Sequence, residues 1–229
     1  MSSREDILGT IRKSLGADAP GRDVAAVDAR LARHATGLQP ARAQSEGDDR
    51  VAQFIEWAEF VATTVDRVAS LDDVPGAVTR YLSANNLPAK ARRATDASLD
   101  GIPWDRAPLL ELEPGVAVES DAVSVTGAFA GIAETGTLML NSGPGHPSTL
   151  NSLPETHVVV LRRDQLVGGY DDAWSRLRES QGDGTLPRTV LLVTGPSRSG
   201  DIEQTLQLGA HGPKRLHIVL VDGEETADT

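Results

Sequence analysis

HVVVL at residues 157–161 and LHIVLVD at residues 216–222 are short runs in which nearly every side chain is apolar. A strand with one wet face alternates apolar and polar residues, because successive side chains point to opposite sides. Runs that are apolar on both faces belong to parallel strands covered by helices on each side. VAVES (116–120), SVTGAF (124–129), TLMLN (137–141) and TVLLVTG (189–195) share this length and texture. Helical stretches separate several of them, DDAWSRLRES at 171–180 and DIEQTLQLG at 201–209. That alternation predicts an α/β fold from about residue 108 onward, a Rossmann-like, mostly parallel sheet with helices on both faces.

Upstream the pattern turns helical. Ser2 and Glu5 have the spacing of a capping box, and Ile7, Leu8, Ile11 and Leu15 then share one helical face. Residues 16–50 are rich in Ala, Arg, Asp and Gly, and only Val24, Val27 and Leu31 keep a helical spacing. This stretch reads as a mobile arm or a weak helix, because its apolar content is too sparse to offset the entropy of ordering. In VAQFIEWAEFVATTV, Phe54, Ile55, Ala58 and Val61 fall on one side of a second helix. Asp72, Asp73 and Pro75 open a third that runs through Val78 and Leu82, with proline in the first turn where its missing donor costs nothing. The expected division is an N-terminal helical arm, partly mobile, at 1–50 and an α/β domain at 51–229.

Composition narrows the function. The 229 residues contain no cysteine, which excludes a disulfide framework, a thiolate nucleophile, a cysteine zinc site and an iron–sulfur cluster held by this chain's own thiolates. A formal net charge of −11 argues against a broad nucleic-acid or anionic-membrane surface. The first residues are charged rather than an apolar signal core, and no run approaches the ~20 apolar residues of a membrane span. A cytoplasmic location is the expectation.

Three stretches have the residue types for chemistry. In SVTGAFAGIAETGTLML, Thr126, Gly127, Gly131, Gly136 and Thr137 flank one acid, Glu134. Glycine at that density lets backbone approach a ligand, and a carboxylate at a buried strand end suits a general acid, a general base or a nucleophile toward an activated acyl group. The alternative is an acid that caps a helix or pairs with an arginine. In TVLLVTGPSRSGDIEQTL, a strand meets a Gly195-Pro196-Ser197-Arg198-Ser199 turn ahead of an expected helix, whose N-terminal donors would favour an anion. Asp201, three residues before Gln204, would cap that helix itself. In LGAHGPKRLHIVLVD, His211 and Gly212 sit in a turn. Neither His211 nor His146 nor His157 has a second ligand at metal spacing, so no metal site is expected. The loop at 141–156 has the length of a lid or binding loop.

GIAETGTLML, LPETHVVVL and TGPSRSGDIEQTLQLGAHGP, in that order and spacing, resemble the LUD domain of the lactate utilization protein C family over about residues 50–222. The resemblance implies a fold of the NagB/RpiA/CoA-transferase-like kind. It also implies a non-redox role in oxidising L-lactate to pyruvate, beside partner proteins that hold iron–sulfur clusters. No cofactor would be bound by this chain alone. The pocket it implies takes Glu134, Thr135, Gly136 and Thr137 from the first motif, and Gly195, Pro196, Ser197, Arg198, Asp201 and Glu203 from the last, with His211 and Gly212 behind them. Thr126 joins these as a candidate ligand-binding residue, and Glu134 is the candidate catalytic one. Two other readings stay open. One is a stand-alone CoA-transferase-like or isomerase-like enzyme using Glu134, although Ala-Glu-Thr-Gly here matches only the Glu-x-Gly part of the Ser-Glu-Asn-Gly element such an enzyme would carry. The other is a pure scaffold.

Overall fold

The computed structural model describes residues 3–16, 23–182, 185–202 and 205–223. Met1–Leu38 and Gln39–Thr229 form two separate compact units. The first contains two amphipathic helices, α1 (Ser3–Ser14) and α2 (Val24–Arg33), and neither buries a residue. Asp23 starts α2 by accepting the Ala26 amide at 2.9 Å. The weak Val24, Val27 and Leu31 pattern therefore does form a helix. Ser2, the expected first cap, and residues 17–22 lie outside the described residues. The segment after Gln39 belongs to the larger unit, against which it packs. Ala43 in a 3-10 turn (Ala41–Gln44) is buried there, and α3 (Gly47–Phe60) follows directly.

Six parallel strands form the main sheet of the larger unit: β1 (Thr64–Val68), β2 (Lys90–Arg93), β3 (Glu111–Pro114), β4 (Val123–Gly127), β7 (Thr156–Arg162) and β12 (Arg215–Val221). Their spatial order is β1-β12-β7-β4-β2-β3. β12 and β7, the runs that decided the reading, lie side by side near the middle, with Leu216 opposite His157 and Leu220 opposite Leu161. Alternate residues explain why both faces are apolar. Val158, Val160, Val219 and Val221 point to one face, where α4 (Val74–Ala84) covers them with Val74, Ala77, Val78 and Leu82. Val159, Leu161, Ile218 and Leu220 point to the other, where Val51, Phe54 and Ala58 of α3 lie.

After β4 the chain leaves this sheet and builds a second, mixed one from β5 (Ala130–Ile132), β6 (Thr137–Asn141), β8 (Leu166–Val167) and β9 (Val190–Val193), in the order β8-β5-β6-β9. Leu138 and Leu140 of β6 share the α3 cluster. Met139, on the opposite side, packs with Ala173 and Leu177 of α5 (Tyr170–Gln181). The protein thus stacks α4, the parallel sheet, α3 with the mixed sheet, and α5.

Three sequence expectations change. TLMLN and TVLLVTG are strands, but they are antiparallel neighbours in the second sheet, not members of the parallel one. VAVES is a turn rather than a strand: Val116 and Val118 are exposed, and Asp121 accepts the Val118 amide at 2.8 Å. The expected helix at 201–209 is a hairpin of β10 (Arg198–Ile202) and β11 (Thr205–Leu208). T-L-Q-L alternates with period two, so it fits a strand as well as the Asp201–Gln204 spacing fits a cap, and pairing decided between them. β1 and β2 went unread, because polar Asp66, Arg67, Arg92 and Arg93 interrupt their apolar positions.

Three histidines are buried. His146 makes the loop at 142–155 a fastened segment: its Nδ1 lies 3.0 Å from Asp96 Oδ2, and its Nε2 lies 2.9 Å from Asn151 Oδ1. Burial disfavours its charge, but Asp96 and Asn151 outweigh that and hold its pKa above the ordinary value. His157, against Thr126 Oγ1 at 2.8 Å, is pushed down to about 3 by burial and by the nearby His146. His217, bonded to Thr64 Oγ1 at 2.9 Å and stacked on Tyr81, is pushed down to about 4 by burial. A histidine kept neutral in the fold gives its full stability above its unfolded pKa and loses it as pH falls toward the folded one. Unfolding free energy should therefore drop below pH ~6.5 by about 1.4 kcal/mol per pH unit for each of His157 and His217. Urea titrations across pH 4.5–7 should show this slope, and His217→Gln should flatten it by one histidine's share; an unchanged slope would mean that His217 is not held neutral.

Candidate functional site

The Glu134 motif is a tight turn between β5 and β6, and the last turn of α3 rests on it. Gly136 has φ +63°, and a Cβ there would lie 2.6 Å from the Trp57 carbonyl carbon and against the Ala58 amide. Gly195, just after β9, has φ +85°, and a Cβ there would lie 2.6 Å from the Val61 carbonyl oxygen. Both glycines are required twice, by backbone conformation and by contact with the same helix end. Gly131 is also a packing residue, since its Cβ would come within 2.7 Å of Leu166 and 3.1 Å of Phe54. The glycine density in the motif thus has a packing cause.

Because β6 and β9 run antiparallel, the start of one faces the end of the other. Thr137 Oγ1 lies 2.7 Å from Thr194 Oγ1, which joins the Glu134 turn to the turn after β9. Thr135 Oγ1 is 2.7 Å from Thr137 Oγ1 and 3.0 Å from the hydroxyl of Tyr170, and that hydroxyl is 3.1 Å from Thr137. Four hydroxyls therefore share one network, buried at Thr137 and open to solvent at Thr194. Beside it, Arg198 Nη2 donates to the Val61 carbonyl at 3.1 Å, so the exposed guanidinium shares the α3 end with Gly195.

Glu134 itself is 8% exposed and accepts from Arg42, Oε1 lying 3.1 Å from Nε and 3.0 Å from Nη2. Its amide donates to Gly168, and Gly169 caps the α5 N-terminus within reach of the carboxylate, where the helix dipole favours negative charge. The arginine partner weighed for this acid in the sequence is present. Ser197 belongs to a neighbouring knot: its amide donates to Pro213, and its Oγ accepts the His211 amide at 3.2 Å, with Gly212 alongside. His211 is exposed, and Pro196 lies between this knot and Gly195. Thr126 is elsewhere, in β4 against His157. Asp201 lies in β10, and Glu203 lies outside the described residues. Because β10 and β11 form a hairpin there, no helix among the described residues follows Arg198 to supply the expected N-terminal anion donors. Arg42, Tyr170 and Thr194 were missed; Thr194 ends the TVLLVT run, but Arg42 and Tyr170 reach the site from distant segments that carry no motif. Among the described residues no group of three or more His, Asp or Glu could hold a metal ion.

Residues 117–221 match the LUD domain family model. That stretch is similar to a LUD domain. A lactate utilization protein C from Exiguobacterium sp. (strain ATCC BAA-1283 / AT1b) is 28% identical over 236 residues, 96% of each chain. Another, from Bacillus subtilis (strain 168), is 32% identical over 104 residues, 45% of this chain and 43% of the relative. An uncharacterized protein of Neisseria meningitidis serogroup B is 38% identical over 96 residues, 42% of this chain and 40% of the relative. The alignments with the Neisseria and Bacillus proteins thus span less than half of those relatives. The crystal structure of a duf162 family protein from Deinococcus radiodurans shares this chain's fold, with 22% identity, a TM-score of 0.56 and coverage of 76% of this chain and 97% of that one. Among the described residues no helix is long and apolar enough to cross a membrane.

The seat under α3 gives a stability prediction. Gly136→Ala places a Cβ in a left-handed conformation and against helix backbone, at a cost of about 2 kcal/mol or more. Chemical denaturation should show that loss; a variant as stable as the parent would mean that α3 does not rest on this turn.

Proposed function

We propose that this chain is a non-redox component of an L-lactate utilization system, serving the oxidation of lactate to pyruvate by binding a small organic acid beside iron–sulfur partner subunits. Relatives named lactate utilization protein C support the assignment, one of them along nearly its whole length. A chain without cysteine leaves cluster ligation to its partners.

The observation that carries the site is the 2.7 Å contact between Thr137 and Thr194, which brings two separate motif turns to one place. A carboxylate would pair with exposed Arg198, whose planar fork matches two oxygens. The hydroxyl or keto oxygen of the same acid would meet the network of Thr135, Thr194 and Tyr170. Glu134 would hold the far side of the turn through Arg42 rather than attack an acyl group, since both Arg42 contacts fall on its carboxylate.

Growth on L-lactate tests this. Replacing the native copy with an Arg198→Ala chain should abolish growth, while the purified variant melts within about 2 °C of the parent, because surface substitutions cost little. Normal growth of that strain, together with failure of the parent chain to co-purify with any cysteine-rich protein, would reject the assignment.

A further inference from the structure

One cavity lies away from the Glu134 turn, at the carboxyl edge of the parallel sheet. It measures about 580 Å³ and is lined by Ser70, Asp72, Arg162, Arg163, Asp164 and Asp222, among others. Topology creates it. The chain leaving β1 passes at Ser70–Asp72 to the face covered by α4, whereas the chain leaving β7 passes at Arg162–Asp164 to the opposite face, where Leu166 joins the α3 cluster. β12 ends between them at Val221. Connections that part to opposite faces open a crevice above the strand between them, the place where open α/β sheets hold ligands. A second cavity of about 360 Å³, sharing Arg163, Asp164 and Asp222, extends the first.

The lining has donors for an anion and acceptors for hydroxyls. Arg162 Nη2 donates to the Asp100 carbonyl at 3.2 Å, while its buried Nε meets no acceptor among the described residues. Arg163 pairs with Asp48, whose side chain is 81% exposed, so that pair competes weakly for it. Asp222 is held by Arg67 at 2.9 and 2.7 Å, and Asp72 by Arg106 at 2.8 Å. These two carboxylates are therefore compensated and fixed in place, which suits them to accept hydroxyl protons rather than to repel an anion. A space of this size is far larger than a three-carbon acid needs and falls in the usual range for larger small-molecule ligands.

We propose that this crevice is a second ligand site, independent of the Arg198 turn, for a polyhydroxylated organic anion larger than lactate, its anionic end on Arg162 and Arg163 and its hydroxyls on Asp72 and Asp222. Such a ligand could be a sugar acid or a nucleotide, and both carry the same pairing of anion and hydroxyls.

Isothermal titration of the full chain with D-gluconate, AMP and L-lactate at matched ionic strength tests it. Gluconate or AMP should saturate the protein with a Kd below about 1 mM, at least tenfold tighter than lactate binds the Arg198→Ala chain, and the one that binds names the source. Arg162→Gln should weaken that binding about tenfold or more, the range expected for losing a charge-assisted contact, and Arg198→Ala should leave it unchanged. If Arg162→Gln does not fold, Arg163→Gln should weaken binding in the same direction. Absence of saturation by both probes up to about 10 mM, or parent-like binding by the folded arginine variants, would overturn the site.

Discussion

The α/β unit depends on one constraint: α3 has to fit between two sheets of different kind. Phe54, with no exposed surface, packs among Val159, Leu161, Ile218 and Leu220 from the parallel sheet and Leu138 and Leu140 from the mixed one. Burial of apolar side chains at this density is the dominant favourable contribution to folding. The helix end then has no room for side chains beneath it, and Gly136 and Gly195 supply the missing space. A motif rich in small residues invites a reading as a ligand cradle, yet here backbone-to-backbone packing accounts for its glycines.

Function follows from the same fit. Seating α3 on both turns fixes the turns relative to one another, and the antiparallel pairing of β6 with β9 sets Thr137 against Thr194. The result is a patch in which the threonine and tyrosine hydroxyls lie at the same helix end as the Arg198 guanidinium. Glu134, buried against Arg42 and the start of α5, anchors the segment after Gln39 to that patch. Binding groups placed on a rigid scaffold keep their geometry when the ligand arrives. The carboxyl edge of the parallel sheet holds a separate cavity of about 580 Å³, so the unit presents two distinct surfaces.

What the sequence disclosed follows physical periodicity. HVVVL and LHIVLVD were legible because parallel central strands are apolar on both faces, and the Phe54 and Val78 helices because their apolar residues recur at helical spacing. β1 and β2 were illegible because edge and near-edge positions tolerate Arg and Asp. DIEQTLQL satisfied two periods at once, and only its partner strand chose between them. At the site, the motif turns could be located from their residues, but nothing in their residues announces the antiparallel pairing that joins them. Arg42 and Tyr170 could not be found, because nothing local in a sequence records which distant side chain folds back onto an acid or a hydroxyl.

The central claim is that the Glu134 turn and the turn after β9 act as a single recognition surface for a small acid. Backbone amide shifts of the isotopically labelled chain, followed during titration with L-lactate and with pyruvate, test it most directly. The account predicts that Thr135, Thr137, Thr194 and Arg198 shift together along one binding curve, while the amides of Arg162 and Asp222 at the sheet edge stay still. Shifts confined to one turn, or none at either while the sheet edge responds to lactate, would contradict it.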